Sequence, residues 1–319
     1  MYNKLKRDDE YIDNLKEFIC LNYGIDTDVI TPATRGYYGE TWRLQSPCGD
    51  YFAKLDYFPR HQILFQNSLP VMEYLRDNGI DFIGKIVKTK GGGLHAHFGS
   101  AVLAVFEWID GENVETDETK TAEYNLLCKI YQLTKHGFNI PTVDFSDATA
   151  RRFYSKWDEL KNTPESEDKD SICKLLEQNS ERLLHWASRL SYFASMCQQD
   201  TADFFITHGD AGGNFFIGAD GKHHIVDWDE VQYAPLERDA WVMGCRDWAR
   251  ELFDAALKAH NINYKLRPKR IAFYCYHMYF LYLVEFVEDF LQHGIVESVH
   301  EYFDEDYFMY ERMRFADDV

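Results

Sequence analysis

The sequence predicts an α+β fold of two lobes, a small β-rich N-terminal lobe and a larger helical C-terminal lobe, and three observations predict it. Residues 29–108 are short apolar runs broken by glycine and turn residues, the pattern of strands and hairpins. Beyond Asp110-Gly111 the apolar spacing turns helical and stays so almost to the end. One compact β segment, 204–228, interrupts that helical half. The boundaries fall at 1–106 for the first lobe, 107–111 for a connector and 112–319 for the second lobe. A ligand site between two such lobes is a common arrangement.

In chain order, Ile12, Leu15, Phe18 and Ile19 recur at helical spacing, and Gly24 stops a helix expected over 9–22. From Val29 to Leu55 short β-like runs are broken at Gly36, Gly39 and Pro47-Cys48-Gly49-Asp50. A helix from about His61 to Asp77 ends at Asn78-Gly79, and Ile83–Thr89 and Ala101–Trp108 read as strands around the turn Lys90-Gly91-Gly92-Gly93. In the second lobe, helices are expected over 118–136, 168–199, 236–258, 267–293 and 296–315, with a polar loop at 164–170. The most apolar stretch, Ile271–Val287, is interrupted by His277 and Glu285 and is rich in tyrosine, which marks a buried core helix, too short and too polar for a membrane span.

The chain has 319 residues, of which 45% are hydrophobic and 27% charged, a globular composition. Its formal charge is −19, from 53 acidic against 34 basic residues. Such a surface repels nucleic acid and anionic lipid; it would attract a cationic small molecule, or serve solubility alone. Seven scattered cysteines without a CxxC pair point to reduced thiols and a cytoplasmic protein, and the polar N-terminus does not read as a signal peptide. The pairs His95/His97 and His223-His224 read as solvated strand histidines, since no third ligand is evident nearby.

The chemistry sits in Phe205–Asp229, FITHGDAGGNFFIGADGKHHIVDWD. Phosphoryl transfer needs an acceptor for the hydroxyl proton, hard ligands for a metal and fixed geometry. Asp210, in a loop whose glycines let the backbone turn and a substrate approach, is the candidate base. Asn214 and Asp227 offer the oxygen ligands magnesium takes. Asp220-Gly221 signals a two-residue hairpin turn, which would place Asn214 directly opposite Asp227. No GxxxxGK[ST] loop occurs, so a P-loop enzyme is not expected.

His208-Gly209-Asp210…Asn214 followed by Ile225-Val226-Asp227-Trp228-Asp229 resembles the aminoglycoside phosphotransferase and choline kinase superfamily, and the chain is most similar to its spectinomycin phosphotransferase branch. Asn22-Tyr23-Gly24-Ile25-Asp26, Asp77-Asn78-Gly79-Ile80 and Glu237-Arg238-Asp239 carry the likeness to that branch. The resemblance implies a protein-kinase-like fold, ATP or GTP as phosphate donor, and magnesium. It implies Asp210 as base, Asn214 and Asp227 as metal ligands, and Asp239 as an acid supporting the catalytic loop. The loop departs from the family pattern: Asn214 follows Asp210 by four residues where five are usual.

Lys54, interrupting the apolar strand Tyr51–Leu55, resembles the kinase lysine that pairs with the donor's phosphates. Glu73 is the expected partner acid on the following helix, with Gln66, on the same helix face, aligned where the family acid stands. Thr34–Thr41 resembles the loop over the phosphates, and Phe106–Gly111 the hinge, where the Glu107 carbonyl and the Ile109 N–H would read the base.

The expected acceptor is a small, hydroxylated, cationic molecule of the aminocyclitol or aminoglycoside antibiotic class, for which Asp247, Glu285, Glu288 and Asp289 are candidate carboxylates. The alternatives are a housekeeping kinase for choline, an amino alcohol or a sugar, with Trp241, Trp248, Tyr276 and Tyr279 as a possible aromatic cage, or a nucleotide-binding relic without turnover.

Overall fold

A computed structural model of the chain describes residues 7–33, 39–114, 116–200 and 203–319. The chain packs as two compact units, one of residues up to Pro141 together with Phe205–Tyr233, the other of Thr142–Phe204 with Ala234–Val319.

The first unit opens with α1 (Asp9–Tyr23), capped by the Asp8 side chain and ended by Gly24 at φ 73°. Its main sheet comprises β1 (Val29–Pro32), β2 (Gly39–Ser46), β3 (Gly49–Asp56), β4 (Ile86–Val87), β5 (Ala96–Phe98) and β6 (Ala101–Glu107). The order is β1-β2-β3-β6-β4, with β5 also on β6, and every pairing is antiparallel. Leu15 and Ile19 of α1 seal one sheet face over Leu44, Ala53, Leu55, Leu103 and Val105. Each such aliphatic side chain gains roughly 1.5–3 kcal/mol from leaving water. Period-two alternation then turns Lys54 and Asp56 of β3 to the opposite face, toward α2 (Pro59–Asp77). Gly39 has no room for a side chain, because a Cβ there would meet the Leu55 carbonyl at 1.8 Å. The strand expected over 83–89 shrinks to β4, since Ile83 is taken into the core.

A second sheet, β10-β9-β7, joins β7 (Gly111–Asn113) to the hairpin of β9 (Phe215–Gly218) and β10 (His223–Ile225), and β8 (Phe205–Thr207) pairs with β11 (Gln232–Ala234). After β7 this unit also carries α3 (Lys120–Gln132).

The second unit is helical: α4 (Ala148–Lys161), α5 (Glu167–Gln178), α6 (Ser180–Gln199), α7 (Glu237–Ala240), α8 (Asp247–Ala259), α9 (Pro268–His293), α10 (Glu297–Glu301) and α11 (Met309–Asp318). The expected core helix is α9, with Phe273, Tyr276, Tyr279, Phe280 and Leu283 buried. Phe153 of α4 packs on Phe280 and Trp186 of α6 on Tyr279, with ring centroids 5.7 Å and 4.7 Å apart. Helix α4 escapes the sequence reading because only Ala150, Phe153, Trp157 and Leu160 carry its apolar stripe among charged residues. Asn179 divides the helix expected over 168–199, and residues 241–246 divide that expected over 236–258. No helix among the described residues is long and apolar enough to cross a membrane.

Candidate active site

The loop after β8 is built by its own backbone. Gly209 sits at φ 94°, a left-handed conformation that lets the chain reverse at Asp210. His208 Nε2–H donates to the Val226 carbonyl (2.8 Å), which leaves Nδ1 to accept the Asp210 N–H (3.2 Å). The His208 ring stands edge-on to Trp228 at 4.7 Å, and the Trp228 indole N–H donates to the Ile225 carbonyl (2.9 Å). The motif residues 208, 210, 226 and 228 thus fix one another.

Asp210 is exposed. The Asn214 amide nitrogen donates to its carboxylate Oδ2 (3.1 Å) and to its backbone carbonyl (2.9 Å). The loop, one residue short of the family spacing, closes because position 213 is glycine: a Cβ there would stand 3.0 Å from Asp210 Oδ1. The Asn113 amide of β7 donates to the Gly213 carbonyl (2.5 Å) and ties the loop from the other side.

The hairpin register differs from expectation by one residue. His223, His224 and Ile225 face Ile217, Phe216 and Phe215. The Val226 N–H donates to the Asn214 carbonyl at 3.0 Å, so Asn214 opposes Val226 and not Asp227. The cause is a three-residue turn, 219–221, closed by the Gly218 N–H on the Lys222 carbonyl (2.7 Å), with Gly221 in the left-handed position at φ 77°. A slip of one residue would send the side chain to the other face. Instead Asp227 itself takes φ 62°, which ends the strand and re-aims its carboxylate.

That carboxylate meets Lys54 of β3. Lys54 Nζ lies 2.7 Å from Asp227 Oδ1 and 2.5 Å from Asp229 Oδ2. Burial works against the ammonium, but Asp227 and then Asp229 outweigh it and hold the Lys54 pKa above its ordinary value. Enclosure by protein pushes the Asp227 carboxyl up, and the Lys54 charge pulls it down further, so it stays below the usual range. Asp229, only 7% exposed, goes the other way. Burial and the neighbouring Asp227 charge push it up to about 6 against the pull of Lys54. The two carboxylates around the one cation are thus pushed in opposite directions, Asp227 toward the anion and Asp229 toward the acid.

Glu73 does not hold Lys54: it pairs with Lys88, while Gln66 is half-buried on α2. The sequence reading missed the residue that α2 does bring to this place, His61, whose Nε2 is 3.9 Å from Asp229 Oδ2 and whose Nδ1 is paired with Asp56. Burial lowers the His61 pKa, but Asp56 and Asp229 on either side outweigh it and leave it raised. The signal available was an aspartate at the end of the lysine strand and a histidine in the next helix's first turn.

Glu107 ends β6, where its side chain pairs with Lys85, and Ile109 lies half-buried between β6 and β7. Gly111 allows β7 to press on β9, since a Cβ there would meet the Ile217 carbonyl at 2.4 Å. Of the loop expected over Thr34–Thr41, residues 34–38 lie outside the described residues, and Gly39–Thr41 open β2. In the second unit, Asp239 is buried in α7. The Glu288 carboxylate is taken up by Arg152, and that of Asp247 by Arg250. Trp241, Tyr276 and Tyr279 are core residues, and Trp248 is half-buried.

The residues present suit a divalent cation. Asp227 engages Lys54 through Oδ1 and keeps Oδ2, and Asn214, whose amide nitrogen is turned to Asp210, keeps its oxygen. Both are hard donors.

A strand lysine clasped by carboxylates, beside a glycine-shaped loop carrying an exposed aspartate and its asparagine, defines a kinase-like phosphotransferase. The profile of the phosphotransferase enzyme family (APH) matches residues 29–274, and the chain belongs to that family. Among solved structures, that of spectinomycin phosphotransferase APH(9)-Ia in complex with ADP and spectinomycin aligns with a TM-score of 0.79 at 18% identity, over 95% of this chain and 98% of that one. Amicoumacin kinase hAmiN, in complex with AMP-PNP, Ca2+ and Ami, aligns at 0.65 with 14% identity over 98% and 94% of the two chains. Choline kinase LicA from Streptococcus pneumoniae aligns at 0.59 with 15% identity over 97% and 98%. At these identities the likeness speaks for the fold alone. No protein of curated function matches the sequence.

Proposed function

We propose that the chain is an ATP- or GTP-dependent O-phosphotransferase whose acceptor is an aminocyclitol or aminoglycoside antibiotic, a spectinomycin-like compound being the first candidate. The observation that carries the reading is Asp210 held exposed by Asn214 on the Gly209 loop, in the same unit as Lys54 and its two carboxylates. Asp210 orients the acceptor hydroxyl and takes its proton as the new O–P bond forms and the bond from the γ-phosphorus to the bridging oxygen breaks, releasing the nucleoside diphosphate. Lys54 stabilises charge on the donor's phosphates, and the Glu107 carbonyl and Ile109 N–H read its base. Magnesium, held by the Asn214 amide oxygen and Asp227 Oδ2, would neutralise phosphate charge as it develops. The lobes we assign are 1–106 for nucleotide, 107–111 as hinge and 112–319 for base and acceptor, in a cytoplasmic enzyme. The formal charge of −19 favours a cationic acceptor. The closure of the short loop around Gly213 favours turnover over a nucleotide-binding relic.

A panel of spectinomycin, aminoglycosides, macrolides, choline, ethanolamine and sugars with MgATP or MgGTP tests the reading. An aminocyclitol is expected to raise the melting temperature and to be phosphorylated. Turnover of choline or ethanolamine instead would establish the amino-alcohol alternative, and nucleotide binding without any transfer the relic.

Asp227→Asn removes one charge from the metal shell. The magnesium concentration for half-maximal turnover is expected to rise by roughly tenfold or more, since even indirect partners of a metal commonly cost that much. A titration unchanged from wild type would remove Asp227 from the shell.

A further inference from the structure

The helix acid that would hold the phosphate lysine is absent from α2 as the structure places it: Glu73 is with Lys88, and position 66 is a neutral glutamine. A different set of residues closes on Lys54. Asp56 leaves β3 on the same face as Lys54 and is 1% exposed. Its Oδ1 accepts the Phe58 N–H (2.8 Å) at the start of α2, and its Oδ2 is paired with His61 Nδ1. Gln62 donates to the Asp56 carbonyl (2.8 Å) and the Ser100 carbonyl (2.7 Å), so the first turn of α2 is pinned to β3 and to the residue before β6. With Nδ1 fixed, the imidazole of His61, itself 8% exposed, presents Nε2 to Asp229 Oδ2 at 3.9 Å. Asp229 Oδ2 is in turn 2.5 Å from Lys54 Nζ.

We propose that His61 is a positioning residue for the donor-phosphate site, held by Asp56 and acting through Asp229 to fix the Lys54 ammonium, in the place a mid-helix acid would otherwise fill. The inference rests on the reading of Lys54 as the phosphate contact. Asp56, His61 and Asp229 bring donor atoms within 4.8 Å of one another, but a metal is a poor occupant. Asp56 and His61 Nδ1 are paired with each other, and the Lys54 ammonium already stands against Asp229 Oδ2. A histidine in this chain of contacts has two functional ends. The first is Nδ1, which ties down the helix start. The second is Nε2, which faces the carboxylate that holds the lysine.

Conservative variants separate the two ends. The glutamine amide nitrogen falls near the place of Nε2, and the asparagine amide near that of Nδ1. MgADP affinity by calorimetry and thermal stability without ligand are measured for His61→Ala, His61→Gln, His61→Asn, Lys54→Met and the double variant Lys54→Met/His61→Ala. His61→Ala is expected to weaken MgADP about tenfold, His61→Gln to restore most of the loss, and His61→Asn to restore stability without affinity. The double variant should bind no more weakly than Lys54→Met alone, because both substitutions break one chain of contacts. A His61→Ala protein that melts earlier but binds MgADP as wild type would reduce His61 to a structural role. Rescue by asparagine and not by glutamine would overturn the proposal in the same way. If Lys54→Met itself bound MgADP as wild type, the failure would lie with the phosphate reading of Lys54.

Discussion

Asp210→Asn is expected to lower turnover ~10²–10⁴-fold, the usual contribution of a general base, while MgADP affinity stays within about twofold of wild type. The expectation follows from how the loop is made. The Asp210 backbone is fixed by the His208 ring and by Gly209, neither of which depends on the carboxylate. The Asn214 amide also bonds the Asp210 carbonyl, so one of its two contacts survives the substitution. What is lost is the anionic oxygen that, on the proposed mechanism, takes the acceptor's proton. The amide can turn its oxygen to Asn214 and keep the loop's shape, but it cannot take up a proton near neutral pH. Single-turnover rates with calorimetry of MgADP check both halves. A variant that lost nucleotide affinity first would place Asp210 in the metal shell rather than at the acceptor.

Lys54→Met should lower kcat/KM by ~10²–10³-fold, the scale reported for removing one preorganised charge-stabilising donor. Methionine keeps the aliphatic stem against the Phe65 ring, over which the ammonium stands at 5.6 Å, so packing is nearly conserved. The electrostatics are not. Asp227 and Asp229 would face each other without a cation, and the buried Asp229, with a pKa already pushed up to about 6, would move higher and hold its proton at neutral pH. That protonation limits the loss of stability, which for an unpaired buried charge would be about 3–5 kcal/mol. Lysine to arginine should not rescue, because a planar fork does not fit between two carboxylates arranged around a point charge. Full turnover by Lys54→Met would reduce Lys54 to a structural cation between Asp227 and Asp229.

The shape of the loop around Asp210 was legible because it is local. Asp210, Asn214 and the glycines that shape the turn lie within six residues, 209–214, and their spacing states their geometry. The strand and helix pattern of the first unit was legible for a related reason: its period-two and helical stripes are uninterrupted where they pack. The hairpin register was not, because Asp-Gly fits both a two-residue turn and the last two positions of a three-residue one. The Gly218–Lys222 closure decides between them, and it is a pairing of backbones that no side chain announces. The partners of Lys54 were out of reach for the same reason on a larger scale. Asp227 is 173 residues away along the chain, and the choice between Glu73 and His61 depends on how α2 is rolled against β3, which its mixed surface leaves open. Helix α4 was lost to its charge, since arginines and lysines between Ala150 and Leu160 dilute the stripe that buries it.

Asp227 stands in a left-handed backbone conformation at φ 62°, next but one to a second, buried aspartate. An L-residue there carries a conformational cost on the order of 1 kcal/mol, and the crowding of like charge adds to it. Glycine would adopt the same turn without a Cβ and would take one of the two carboxylates away. That exchange would relieve the backbone and at the same time leave the Lys54 ammonium with Asp229 alone, so its two effects on stability oppose each other. The melting temperature of Asp227→Gly therefore reads which is larger, the strain of the turn or the worth of the ion pair it carries.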